Sequence, residues 1–129
     1  MASKRHLSGT AAVAAAAAAV ALLARPAAAA DLSEYTVKQL LEPCIEGDAD
    51  SRWGAAAEAE CEQYIRGFTD AYLLVSGGGK GDGVCLPAQN RDDEIRWAFM
   101  KWAHRNLDQR SRPAAEGLLA TITANFKCK

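Results

Sequence analysis

Basic charge, histidine and closely spaced cysteines are all scarce once the first 30 residues are set aside. Residues 31–129 carry 12 Lys and Arg against 16 Asp and Glu, a net charge of −4. An acidic domain lacks the basic face that nucleic-acid binding needs, and it is a poor match for an anionic membrane surface. His104 is the only histidine after residue 30. No serine or free cysteine is placed by sequence as its nucleophile, so it reads as a surface or rim residue. The chain has no C-x2-C pair and no C-x-x-C-H, which removes the common zinc and haem-attachment patterns. Period-two alternation is missing as well, and with it the signature of a half-buried strand.

Two partial motifs fail on inspection. Gly77-Gly78-Gly79-Lys80-Gly81 suggests a phosphate loop, but Leu74 stands where the first glycine belongs and Gly81 where Ser or Thr belongs. Asp48, Asp50 and Arg52 begin like a calcium loop, yet Trp53 replaces the required Gly and Ala59 the required Glu. No cofactor and no metal site is expected, and the chain does not read as an enzyme.

Residues 1–30 hold 15 alanines and no acidic residue. Lys4, Arg5 and His6 precede an apolar stretch ending near Ala24, followed by Arg25, Pro26 and Ala27–Ala30. This tripartite order is that of an export signal, with cleavage expected between Ala30 and Asp31. The protein is then expected in the periplasm, with no membrane contact after cleavage. The remainder has a hydrophobic share of roughly 44%, an ordinary globular value.

Four cysteines, Cys44, Cys61, Cys85 and Cys128, lie in residues 31–129. An even number in a small exported domain implies a disulfide framework, with three connectivities open. Hydrophobic spacing then divides the chain into four helical segments. The first covers about 34–43, with Val37, Leu40, Leu41 and Cys44 on one side and Pro43 as its limit. The second covers about 52–75. Its stripe is Cys61, Tyr64, Ile65, Phe68, Ala71, Tyr72 and Val75, and Glu58, Glu62, Arg66 and Asp70 lie opposite. Asp48, Asp50 and Ser51 are expected to cap it.

The third segment covers about 90–108, capped by Asn90, with Ile95, Ala98, Phe99, Trp102 and Ala103 inward. The fourth covers about 112–125, capped by Ser111, with Ala115, Leu118, Leu119, Ile122 and Phe126 inward. Trp53 and Trp97 fit their stripes less well. Partial burial against a neighbouring helix is the first expectation for them, a binding face the second.

These segments describe an all-α, small disulfide-bonded four-helix bundle. The short connection between the third and fourth makes them antiparallel neighbours. The end of the fourth then lies beside the start of the third, which pairs Cys85 with Cys128 and leaves Cys44 for Cys61. In the chain-entropy model, closed loops of 18 and 44 residues stabilise by ~3 and ~4 kcal/mol.

The ordered set Cys61-x-x-Tyr64-x-x-Gly67-x-x-Asp70, then Cys85-Leu86-Pro87, then a Pro113-Ala114 helix start and a near-terminal Cys128, resembles the Rap/Tai family of periplasmic immunity proteins. The resemblance runs from about Leu40 to Cys128. It implies an exported, all-helical, disulfide-bonded protein whose partner is a secreted peptidoglycan amidase delivered by a type VI secretion system. A second copy of the chain is a further candidate partner, and a small periplasmic stress protein of chaperone type is the alternative reading.

The motif residues have structural explanations of their own. Tyr64 belongs to the inner stripe, Gly67 leaves room for a close helix crossing, and Pro87 stops the chain before the third helix. The expected contact surface is the loop Ser76, Gly77, Gly78, Gly79, Lys80, Gly81 and Asp82, up to Val84. It carries almost no side chains to pack and is expected to be mobile, while the second helix and Cys85 hold its ends. Tyr72 or Trp97, if exposed, is the expected anchor beside it.

Overall fold

The computed structural model describes residues 31–49 and 52–129. The export signal in residues 1–30, its cleavage before Asp31, and capping by Asp50 and Ser51 lie outside the described residues. The elements are α1 (Val37–Asp48), α2 (Gly54–Val75), α3 (Arg91–Arg105) and α4 (Ala114–Asn125), with short 3-10 turns at Lys80–Asp82 and Leu107–Gln109. Extended pairing among the described residues is limited to two isolated bridges, Thr36 with Pro113 and Val84 with Lys127. The all-α expectation holds.

Helix α1 opens with a capping box. The Gln39 amide donates to Thr36 Oγ1 at 3.3 Å, and the Thr36 amide donates to Gln39 Oε1 at 2.8 Å. Pro43 was expected to end this helix, but it lies inside it. An internal proline removes one amide donor and leaves the carbonyl four residues back without its partner. That carbonyl belongs to Gln39, and the Tyr35 hydroxyl lies 3.1 Å from it. The proline is buried and followed by buried Cys44, so packing also opposes a break. The amides of Val37 and Lys38 donate to the carbonyls of Arg112 and Arg110, both at 2.9 Å. Two of the unpaired donors at the helix start thus find acceptors in the chain just before α4.

Helix α2 buries Ala57, Cys61, Ile65, Thr69 and Tyr72. Tyr64 and Phe68 pack against the core while remaining partly exposed. Ala71 and Val75, expected inward, are exposed. The buried line advances mostly by four residues and so passes through Thr69. Trp53 stands at the N-cap without a side-chain bond, and Asp48 is the last residue of α1 rather than a cap.

Helix α3 starts after Asn90, whose φ of +50° occupies the left-handed region and whose side chain makes no capping bond. Asp92, Asp93 and Glu94 fill its first turn, at the positive end of the helix dipole. Helix α4 begins after Pro113, two residues later than Ser111 would place it. It buries Ala114, Gly117, Leu118, Thr121 and Ile122. The inner face is shifted from the expected one, and Leu119 is 44% exposed. Residues 106–113 join one pair of ends of α3 and α4, and Cys85–Cys128 joins the segments at the other. The two helices are therefore antiparallel, as expected.

The core gathers Val37 and Leu40 of α1, Ile65 of α2, Ile95 and Phe99 of α3, and Leu118 and Ile122 of α4, all fully buried. Two glycines make close crossings possible. A Cβ on Gly117 would meet Val37 Cγ2 at 2.5 Å and Trp102 at 3.1 Å, and a Cβ on Gly47 would meet Glu58 Cα at 2.6 Å. Gly67 was expected in that role, but it is exposed and has open space around it. Both disulfides pair as expected, Cys44 with Cys61 and Cys85 with Cys128.

Candidate functional site

The site is built at the C-terminal end of α2. Ser76 is the C-cap, Gly77 follows with φ of +62°, and the Gly78 amide donates to the Leu73 carbonyl at 2.8 Å. This is a Schellman ending, which needs a left-handed residue after the cap and takes glycine there at no steric cost. Gly79, also left-handed, is buried, and a Cβ on it would lie 3.0 Å from the Val84 carbonyl. The amides of Asp82 and Val84 both donate to the Gly79 carbonyl, at 3.1 and 3.0 Å. The segment is a succession of hydrogen-bonded turns, and its glycines allow close backbone packing.

Its far end is bolted to the C-terminal segment. The Cys85 amide donates to the Phe126 carbonyl at 2.8 Å, and the Cys128 amide donates to the Gly83 carbonyl at 2.9 Å. Val84 is buried between these bonds, and the Cys85–Cys128 disulfide closes the same junction. The Tyr72 hydroxyl donates to Asp82 Oδ2 at 3.1 Å. Burial first, and the Asp82 carboxylate second, push the Tyr72 hydroxyl above its ordinary range. Tyr72 is buried, as its place on the inner stripe predicts, so it braces the loop from beneath, and of the two candidate anchors only Trp97 is exposed. Trp97 is 51% exposed, Trp53 is 64% exposed, and Leu74 and Val75 are each 83% exposed. Both tryptophans are thus exposed, and the expected partial burial against a neighbouring helix is not seen.

A groove of about 520 Å³ runs beside the loop. Gly78 and Lys80 line it on the loop side, and Cys85, Leu86, Pro87 and Ala88 on the other, with Leu73, Val84 and Arg91 completing it. The structure thus brings Pro87 together with two residues of the expected contact loop. Asp70 joins indirectly: its Oδ1 lies 3.1 Å from Arg91 Nη2, while Arg91 Nε donates to Asp92 Oδ1 at 2.9 Å. Tyr64 does not line this groove. Its ring centroid lies 5.2 Å from that of Tyr35.

The seam between α2 and α3 continues this charge pattern. Arg66 Nε donates to Asp92 Oδ2 at 2.8 Å. Burial alone would raise the Asp92 carboxyl, but the guanidinium groups of Arg66 and Arg91 outweigh it and hold the group below its ordinary value. Arg96, one step along, keeps only 6% of its side-chain exposure. Carboxylates of Glu58 at 3.2 Å, Asp93 at 3.5 Å, Asp48 at 3.8 Å and Glu62 at 3.9 Å surround it. The charged face of α2 thus pairs with α3 along a partly exposed seam in which Arg96 is buried, and the sequence reading missed Arg96 altogether. Its spacing from Asp92, Phe99 and Ala103, at four, three and seven residues, was the available signal.

Among the described residues, no group of three or more His, Cys, Asp or Glu side chains is placed to hold a metal ion. His104 is exposed and lies 3.3 Å from Arg110 Nη2 through Nδ1. What the described residues offer is surface: a braced glycine turn, an apolar groove with two cationic side chains, and exposed tryptophans. The fold defines a small, disulfide-bonded, all-helical protein. The family model for Rap1a immunity proteins matches residues 36–128, and the chain belongs to that family. Comparison with curated proteins and with solved structures returned no match.

Proposed function

We propose that this chain is an exported immunity protein that binds a secreted toxin in the periplasm and blocks its active-site cleft. The toxin class it would meet is a peptidoglycan amidase delivered by a type VI secretion system. Membership of the Rap1a immunity family over residues 36–128 is the observation that carries this reading. The glycine turn supports it physically. A protein inhibitor works by shape and charge complementarity, and a turn without bulky side chains can enter a narrow cleft with its backbone close to the enzyme. Because the turn is hydrogen-bonded at both ends, less ordering entropy opposes binding than for a slack loop. In this reading Lys80 and the Gly78 backbone touch the toxin directly, and Pro87 and Arg91 form the wall behind them.

The test pairs the purified protein with amidases encoded beside it. Tight complex formation and loss of peptidoglycan hydrolysis are expected. Lys80→Glu changes an exposed side chain, so melting should stay constant while affinity falls at least tenfold, ~1.4 kcal/mol. Full affinity in that variant would reduce the turn to a connector. Failure to bind any such amidase would remove the proposal.

A further inference from the structure

A second groove, of about 470 Å³, lies between α1 and the start of α2 and shares no residue with the groove beside the glycine turn. Pro43 and Ala57 are its buried apolar members. Trp53 lines it with 64% of its surface exposed. Three carboxylates, Glu42, Glu46 and Glu60, also line it, and no basic side chain does. Lys38 lies 4.0 Å from Glu42, with both side chains largely in solvent, so that pair offsets little. Glu60 accepts a hydrogen bond from the Tyr35 hydroxyl at 2.8 Å, which fixes one carboxylate in place.

Negative charge over an apolar strip, with an exposed indole beside it, matches one kind of group: a cation on an apolar stem. The indole takes a guanidinium in this very molecule, since the Arg52 guanidinium carbon lies 5.4 Å from the Trp53 ring centroid. The groove is open to solvent, whereas pockets for small ligands enclose most of the ligand surface. We infer that this groove is a second docking surface, which takes a lysine- or arginine-bearing segment of a partner protein, with the stem on Pro43 and Ala57 and the charge among Glu42, Glu46 and Glu60. Another copy of the chain suits it poorly, because residues 31–129 carry a net charge of −4 and copies repel. The inference does not rest on the glycine-turn reading, and either can fail alone.

The experiment titrates the purified protein, labelled with nitrogen-15, with acetyl-Gly-Arg-Gly-amide and with the same peptide carrying citrulline. Saturable shifts at the Trp53 indole N–H and the Ala56 and Ala57 amides are expected with the arginine peptide only, and they should weaken as salt rises. Glu42→Gln with Glu46→Gln should weaken the arginine peptide at least tenfold while the rest of the backbone spectrum is kept. Trp53→Ala should do the same, and Trp53→Phe should restore part of the binding. Equal shifts from the two peptides, wild-type affinity in the double glutamine variant, or self-association through Trp53 would each overturn the inference.

Discussion

The two disulfides span similar Cα distances, 5.0 Å for Cys44–Cys61 and 4.9 Å for Cys85–Cys128, yet they hold different kinds of structure. Cys44 and Cys61 are fully buried, and they join two helices that already share a packed core. Cys85 and Cys128 are exposed, and they join a turn to the C-terminal segment where few side chains are buried. Around the first bridge, apolar packing would persist without the bond. Around the second, a handful of backbone hydrogen bonds, the Tyr72–Asp82 bond, buried Val84 and the partly buried Leu86 and Phe126 remain. The bridge in the core thus contributes to the stability of the whole fold, and the bridge at the surface sets the shape of the glycine turn and the groove beside it.

Replacing Cys44 and Cys61 together by alanine gives the largest expected effect. Loss of the cross-link and of two buried sulfurs should cost ~2–5 kcal/mol, read as a drop in denaturation midpoint. Gly117→Ala tests the same packed region without touching a bond. Its Cβ would sit 2.5 Å from Val37 Cγ2, and such overpacking costs ~1–3 kcal/mol. Cys85→Ser with Cys128→Ser opens the longer loop, ~4 against ~3 kcal/mol in the chain-entropy model, but both cysteines are exposed and leave no core cavity, so it should move the midpoint less than the first pair while speeding amide exchange at residues 76–85. An equal loss of global stability from the two pairs would break the comparison.

Acidification probes the charged seam next to the groove. Asp92 has a folded-state pKa held below its ordinary value by Arg66 and Arg91. Its contribution is therefore complete above the unfolded pKa of ~3.9 and fades as pH falls through the lower folded value. Asp92→Asn should consequently lose less stability than the parent as pH falls below ~3.9, read as a smaller fall in melting temperature. The smallest effect is expected from Gly67→Ala, and with the opposite sign. An exposed glycine within a helix, with space for a Cβ, should yield ~0.5–1 kcal/mol of added stability.

The number and order of helices, the antiparallel α3–α4 pair and both cysteine pairings were legible in the sequence, because spacing and connection length carry that information directly. What escaped reading depends on groups distant in the chain. Pro43 ends a helix by local rules, and only the Tyr35 hydroxyl and the neighbouring core allow the helix to continue. Hydropathy placed Leu119 inward, whereas the closest approach among α1, α3 and α4 selects small residues, so Gly117 and Thr121 occupy it and Leu119 turns out. Arg96 is charged and was not considered for burial, although four carboxylates surround it. The glycine turn was found by composition alone. Its bracing by Tyr72, Asp82 and the C-terminal segment could not be inferred from the glycines.

The start of α1 takes its acceptors from Arg110 and Arg112, and the Ala114 amide returns a bond to the Tyr35 carbonyl at 2.8 Å. The earliest helix is thus completed by chain more than 70 residues downstream. Such distant closure must overcome loop entropy before it is rewarded. The N-terminal turn of α1 should therefore be among the last parts to consolidate during folding. A chain interrupted before residue 110 would leave the Val37 and Lys38 amides without these acceptors and only the Thr36–Gln39 capping box in place, and early proteolytic cutting near Thr36 would report it.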